Sequence, residues 1–154
     1  MTEPQSIARN KKAFRDYTIS DRLEAGLQLK GCEVKSLREG RANISDAYVR
    51  VERGEVYLVN AHITPYSKAN TFEEINPIRK RKLLLHANEI KRLIGQSERK
   101  GYTIVALSLY FNARGKAKVQ IALGIGKKQF DKRETIKKRI HNRDMERALK
   151  QRHR

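Results

Sequence analysis

A chain of 154 residues is long enough for one domain with a core of its own plus an appendage. Charged residues make up 34%, hydrophobic residues 38%, and the formal net charge is +18, so the core is economical and the partner is polyanionic. No Trp, no long apolar run and no apolar segment over residues 1–12 speak against a membrane anchor or a secretory signal, and a lone Cys32 excludes an internal disulfide framework. Cytoplasmic nucleic acid is the partner class that survives these exclusions.

Residues 1–12 read as a polar N-terminal segment, mobile or shortly helical. Leu23, Ala25, Leu27 and Leu29 alternate with Glu24, Gly26, Gln28 and Lys30, which predicts a half-buried strand with Glu24 on its outer face. Residues 33–39 hold Val34 and Leu37 at helical spacing, with Gly40 as the stop. Residues 47–52 and 55–63 read as a β-hairpin about Arg53-Gly54. Pro65 and Pro77 punctuate a polar connection with no evident element. Residues 81–86 form the next strand, and Asn88 is a candidate cap for a helix reaching about Arg99, with Ile90, Leu93 and Ile94 as its apolar stripe. Residues 102–111 and 116–123 form a long hairpin about Asn112-Ala113-Arg114-Gly115.

Short strands with one or two inserted helices predict a mainly β fold. The expected form is a small antiparallel β-barrel of oligonucleotide-binding (OB) type, with flanking short helices and a basic C-terminal tail. A split β-sandwich fits the periodicity almost as well. The expected divisions are 1–12, a barrel over 13–126, and a tail over 127–154 that is disordered when free and helical on an RNA surface.

That tail carries twelve Lys or Arg against four acids, a local +8, with only scattered apolar residues. Ile136 and Ile140 fall on one side of a helix starting near Thr135, and Met145, Ala148 and Leu149 on another, so no continuous stripe can dock on the body. Favourable pairs Glu134–Lys138 and Glu146–Lys150 support that helix. A polycationic arm on a globular body is suited to lying along phosphates. Phe130, set among Lys127, Lys128, Lys132 and Arg133, could stack on an unpaired base.

In the strand at 81–86, period two places Lys80, Lys82, Leu84 and His86 on one face. Leu84 then shares its face with lysines, either packed under a loop or presented to a sugar or base while the lysines hold phosphates. Lys116 and Lys118 share the outer face of the last strand and, with Lys35, Arg38, Arg41, Arg79 and Lys82, outline a basic RNA patch. Glu24 is either an ion-pair partner there or an acceptor for an exocyclic amine. The four histidines lack metal-ligand spacing, and Gly124-Ile125-Gly126-Lys127 misses the first glycine and the Ser or Thr of a phosphate loop. No nucleophile–base pair is evident, so the chain reads as a binding protein with no metal and no cofactor, not as an enzyme.

Several strings occur together in order: Asp16-Tyr17, Glu24-Ala25-Gly26, Glu33-Val34-Lys35-Ser36-Leu37-Arg38, Asn60-Ala61-His62-Ile63-Thr64-Pro65-Tyr66, Arg81-Lys82-Leu83-Leu84-Leu85, Gly101-Tyr102-Thr103 and Gly126-Lys127-Lys128-Gln129-Phe130-Asp131-Lys132-Arg133. The set resembles the bacterial SsrA-binding protein family, partners of transfer-messenger RNA (tmRNA), from about Asn10 to the C-terminus. The resemblance implies an OB-type barrel that holds the tRNA-like domain of tmRNA and, with its tail, stands in for the missing anticodon stem. It implies delivery of alanyl-tmRNA with elongation factor Tu–GTP, by a monomer, to ribosomes stalled without a codon, for trans-translation. By position, Glu24, Leu84 and Lys116 fall where the family contacts tmRNA, with Asn10, Lys11, Lys35, Arg38, Lys82 and Lys118 as further candidates from the basic surface. Lys127, Lys128, Phe130, Asp131, Lys132 and Arg133 fall on the segment that engages the small-subunit decoding centre. The distal helix, with Ala148 and Leu149, falls in the empty mRNA channel. Position 130, often Tyr or His in the family, is Phe here, and Ala148 is smaller than the family pattern leads one to expect. A structural ribosomal RNA-binding protein is the competing reading.

Overall fold

The computed structural model describes residues 5–66, 76–99, 101–127 and 129–152. Its elements in chain order are β1 (Gln5–Arg9), α1 (Lys11–Asp16), β2 (Tyr17–Leu27), α2 (Gly31–Arg38), β3 (Ala42–Asn43), β4 (Tyr48–Glu52), β5 (Glu55–Val59), β6 (His62–Ile63), β7 (Arg81–Leu84), α3 (Ala87–Ser97), β8 (Tyr102–Phe111), β9 (Ala117–Gly126) and α4 (Gln129–Arg152). All pairings are antiparallel. β8, β4, β5, β7, β2 and β9 follow one another around a ring that closes where β9 pairs with β8. Closure removes the free edges that an open sheet would present. The result is the expected mainly β, OB-type barrel, and the split sandwich is excluded by the closing pair.

Inside, Ala25, Leu58, Leu83, Ile104, Ala106, Leu109, Val119, Ile121 and Leu123 form one core, with Leu37 of α2 and Leu93 of α3 covering it. A second, smaller cluster lies outside the ring. There Ala13 of α1 buries itself on Val105, Leu107 and Ala122, flanked by Phe14, Tyr17 and Ile19.

Two β-bulges make this double use of one strand possible. In β2 the register with β9 slips between Ser20 and Arg22, and Asp21 takes up the extra residue with φ 46°. Before the bulge, Tyr17 and Ile19 face outward under α1; after it, Leu23, Ala25 and Leu27 face the core. A matching slip at Leu107 in β8 turns Leu109 and Phe111 inward while Val105 and Leu107 remain outside. Tyr17 lies so close on Gly124 that an added Cβ there would sit 3.1 Å from its side chain.

Several local expectations are corrected. Gln5–Arg9 is a strand paired to β8 instead of a mobile or helical segment. The hairpin's second strand stops at Val59, because Asn60 turns into positive φ (60°) and His62–Ile63 pairs with β3 in a separate two-stranded sheet. Residue 88 lies inside α3; the N-cap is His86, which makes no side-chain capping bond. α4 starts at Gln129 instead of near Thr135.

A charged network sits at the base of the barrel. Period two in β7 turns Arg81 inward with Leu83, and Arg81 is fully buried. Its Nε donates to Glu33 Oε2 at 2.7 Å, and its guanidinium also donates to the carbonyls of Ala61 and Pro77 at 2.6 and 3.0 Å. Arg79 Nε and Nη2 donate to the same carboxylate, and the backbone N–H of Lys30 donates to Glu33 Oε1 at 2.9 Å. Burial pushes the Glu33 pKa up, but the hydrogen bonds from Arg79, Lys30 and Arg81 outweigh it and leave the carboxyl below its ordinary value. Because the folded-state pKa is depressed, the stabilisation is complete above the ordinary value near 4.5 and is lost as pH falls through the folded value. Removing one partner of such a pair strands the other charge, so Glu33→Ala should cost about 3–5 kcal/mol in denaturant unfolding. Glu33→Gln should flatten the acid limb of the stability–pH curve below pH 4.5, an outcome that pH-dependent thermal melts would check.

Candidate nucleic-acid interface

The outer faces of β7, β2, β9 and β8 meet along one row. Register pairs Leu84 with Gly26, Gly26 with Lys118, and Lys118 with Tyr110. One step along, Glu24 pairs with Gln120. Gly26 is what lets the row close up: a Cβ there would lie 3.3 Å from Leu84 Cβ and 3.5 Å from Lys118 Nζ. Leu84 is 54% exposed, so it lies outside the barrel core and presents an apolar side chain to solvent beside Lys118. A cleft of about 830 Å³ opens over this row, bounded on its far side by His86, Glu89 and Ile90 at the start of α3.

Tyr110 reaches across β9 and donates its hydroxyl to Glu24 Oε2. Burial first, and this hydrogen bond second, push the Tyr110 phenol well above its ordinary value, so it remains a donor throughout the neutral range. With Oε2 so occupied, Oε1 of the exposed Glu24 is left to accept from a ligand amine or hydroxyl. Among the described residues Lys118 has no ion-pair partner, whereas Lys82 Nζ lies 3.0 Å from Glu55 Oε1. Chemically, the row offers one acceptor, one cation and one apolar surface within a single cleft. That combination can take a base or sugar edge together with a phosphate.

Of the candidates from the basic surface, the structure brings Glu24, Leu84, Lys82 and Lys118 into this cleft. Lys116 is exposed in the turn before β9, where its N–H donates to Asn112 Oδ1 at 2.9 Å; it stands at the rim, not on the strand face. Lys35 and Arg38 project from α2, and Lys35 Nζ lies 5.6 Å from the Tyr66 ring centroid. Lys11 belongs to α1, at the other end of β2. Asn10 is buried: its Nδ2 donates to Ala106 O at 2.9 Å and its Oδ1 accepts from Ala13 N at 3.0 Å, so it caps α1. Sequence reasoning gave no role to Tyr110, Gly26 or Glu55. The hairpin register alone puts Tyr110 beside Lys118, so that residue was within its reach.

The tail leaves from the opposite end of β2. Tyr17 pairs with Gly126, and Lys127 extends the ladder by donating its backbone N–H to Asp16 O at 2.9 Å. At about 3.3 Å per residue, the span from Tyr17 to Leu23, where the cleft begins, separates the root of the tail from the cleft by roughly 20 Å. α4 then runs 24 residues, a rod of about 36 Å. Ile136, Ile140, Met145 and Leu149 stay exposed along it, as do Arg133 and Ala148. Lys128 lies outside the described residues, as do the side chains of Phe130, Asp131 and Lys132. Among the described residues no cluster could hold a metal ion, and no helix is long and apolar enough to cross a membrane.

Residues 7–151 match the family model described as SmpB protein. An SsrA-binding protein of Halalkalibacterium halodurans is 53% identical over 153 residues, spanning 99% of this chain and 98% of the relative. One from Maricaulis maris is 54% identical over 154 residues, covering 97% of this chain and 98% of the relative. A solved chain described as "tmRNA-SmpB: a journey to the center of the bacterial ribosome" superposes with a TM-score of 0.65 at 50% identity, covering 79% of this chain and 84% of that one.

The hydroxyl bond of Tyr110 makes a spectroscopic prediction. In an ultraviolet alkaline titration, the difference between wild type and Tyr110→Phe should be a phenol that ionises above the ordinary value of 10.0. An ordinary titration for that difference would mean that Glu24 is not held.

Proposed function

The chain belongs to the SmpB protein family, and we propose that it binds the tRNA-like domain of tmRNA and delivers it to stalled ribosomes for trans-translation. One observation carries this reading: a base-sized contact row and a polycationic helix sit at opposite ends of one strand, about as far apart as the two ends of a short RNA stem. The first suits a folded RNA and the second suits a phosphate-lined channel, so body and arm divide the work.

In the cleft, Leu84 packs on an exposed base or sugar, Glu24 accepts from an exocyclic amine or a 2′-hydroxyl, and Lys118 holds a phosphate. Lys116, at the rim, adds a second and looser phosphate contact. Asn10 supports the interface only from within, by capping α1. Lys11, Lys35 and Arg38 lie outside the cleft and serve as peripheral phosphate contacts, each weaker than Lys118. The arm, with Lys127, Lys128, Phe130, Asp131, Lys132 and Arg133 at its root, engages the decoding centre of the small subunit. Its distal part, with Ala148 and Leu149, occupies the mRNA channel, where neutralisation by phosphates stabilises a helix that buries little on its own body. Messenger in the channel would exclude the arm sterically, which gives selection of stalled ribosomes without any sequence recognition. The delivered complex contains alanyl-tmRNA and elongation factor Tu–GTP, and the protein acts as a cytoplasmic monomer.

Salt-dependent binding to a transcript of the tRNA-like domain tests the cleft. Lys118→Ala should weaken binding and flatten log K against log salt by about one counterion. Lys116→Ala should cost less affinity with a smaller change in slope. Equal slopes for wild type and Lys118→Ala would remove Lys118 from the interface. Cutting the chain after Gly126 tests the division of labour: RNA affinity should stay close to that of the full chain, while tagging of nascent chains on stalled ribosomes should be abolished. Enrichment of ribosomal RNA alone with the truncated chain would favour a structural ribosomal role instead.

A further inference from the structure

In a chain of formal charge +18, the cleft carries three carboxylates: Glu24, Glu55 and Glu89 line it together with Lys82, Lys118 and His86. Affinity for phosphates alone would not put carboxylates there, since each one repels the RNA backbone. Glu55 is the most tightly engaged of the three. It opens β5 directly after the Arg53-Gly54 turn, and the β5–β7 register, which pairs Tyr57 with Lys82, brings the lysine to it. Lys82 Nζ donates to Glu55 Oε1 at 3.0 Å, and the Tyr57 hydroxyl donates to Oε2. The arrangement repeats one step away, where Lys80 Nζ donates to Glu52 and lies 4.5 Å from the Tyr57 ring centroid. The hydrogen bonds from Tyr57 and Lys82 hold the Glu55 pKa below its ordinary value, so its charge persists at neutral pH.

We infer that Glu55 is a specificity residue: it restrains Lys82, so among the described residues the cleft presents Lys118 as its one uncommitted lysine and rejects RNAs that offer only phosphate. Lys82 then acts as a structural clamp between β7 and the β4–β5 hairpin, and not as a free RNA contact. A ligand that binds well must satisfy Glu24 and cover Leu84, which a featureless backbone cannot do. Discrimination here comes from penalising the wrong partner as much as from rewarding the right one. This inference rests on the cleft's being the tmRNA site.

The test is fluorescence anisotropy on the full chain, at several salt concentrations, with a tRNA-like-domain transcript and an unrelated RNA hairpin of equal length. Glu55→Gln should tighten binding to the unrelated hairpin by roughly two- to fivefold, the range expected for releasing an exposed ion pair. The salt slope should steepen by about one, with the melting temperature matched to wild type and the ratio between the two RNAs reduced. Adding Lys82→Gln to Glu55→Gln should cancel the gain. An unchanged slope for Glu55→Gln, or a gain that survives Lys82→Gln, would overturn the inference while leaving the functional reading intact. Wild-type protein that fails to prefer the tRNA-like domain would overturn both.

Discussion

A β-strand shows alternate faces with period two, and a barrel that must also carry an external helix needs that alternation to reverse once along the way. β2 does this at Asp21. Odd-numbered residues are apolar on both sides of it, yet Tyr17 and Ile19 face α1 while Leu23, Ala25 and Leu27 face the core. At this bulge Asp21 takes a left-handed conformation, which Asp tolerates better than a branched side chain would. Asp21 is also held from outside, by Arg92 at 3.2 Å and Gln96 at 2.9 Å on α3, so the same residue ties a helix to the bulge. Both functional ends of the strand inherit their orientation from this point. Upstream lie α1 and the root of the tail; downstream, Glu24 and Gly26 turn outward into the cleft.

The other side of the cleft is aimed from within. Arg81 could not be turned inward without a partner, because a lone buried charge costs far more than packing returns. Glu33 provides that partner and also takes Arg79, so α2 and the start of β7 are locked to each other. With Arg81 and Leu83 fixed inside, Lys82 and Leu84 have only the outer face left to them. The exposure of Leu84 is in this sense a consequence of the buried arginine three residues earlier.

Strict alternation made much of this legible beforehand. The outward positions of Glu24, Leu84 and Lys118, the closing hairpin and its turn at Gly115 all follow from period two and from one glycine in positive φ (74°). What stayed hidden depends on non-local partners. The segment Gln5–Arg9 has no marked pattern and becomes a strand only because β8 offers it an edge beyond the end of β4. Asn88 is a strong cap by residue type, but α3 begins at Ala87, separated from the end of β7 by two residues, so the position was already helical. Lys116 and Lys118 have the same parity and are equivalent on paper. The turn about Asn112 ends the ladder between them and leaves one at the rim, the other in the row. Asn10 has the composition of a surface residue, and only the packed helix shows that both ends of its amide are used internally.

Charge is distributed as unevenly as shape. The tail from residue 127 carries a net +8 with few apolar anchors, whereas the cleft balances its lysines with carboxylates. Long-range attraction to RNA falls off within about a Debye length, roughly 8 Å at physiological salt, so an arm rooted roughly 20 Å away would not choose which RNA the cleft accepts. It can only raise the local concentration of polyanions in general. Under the proposed function, selectivity then belongs where the net charge is low and short-range chemistry dominates, at Glu24, Leu84 and Lys118. Keeping that surface nearly neutral on an otherwise strongly cationic molecule would, under the same function, let the tail hold phosphates in general while the body holds a particular fold.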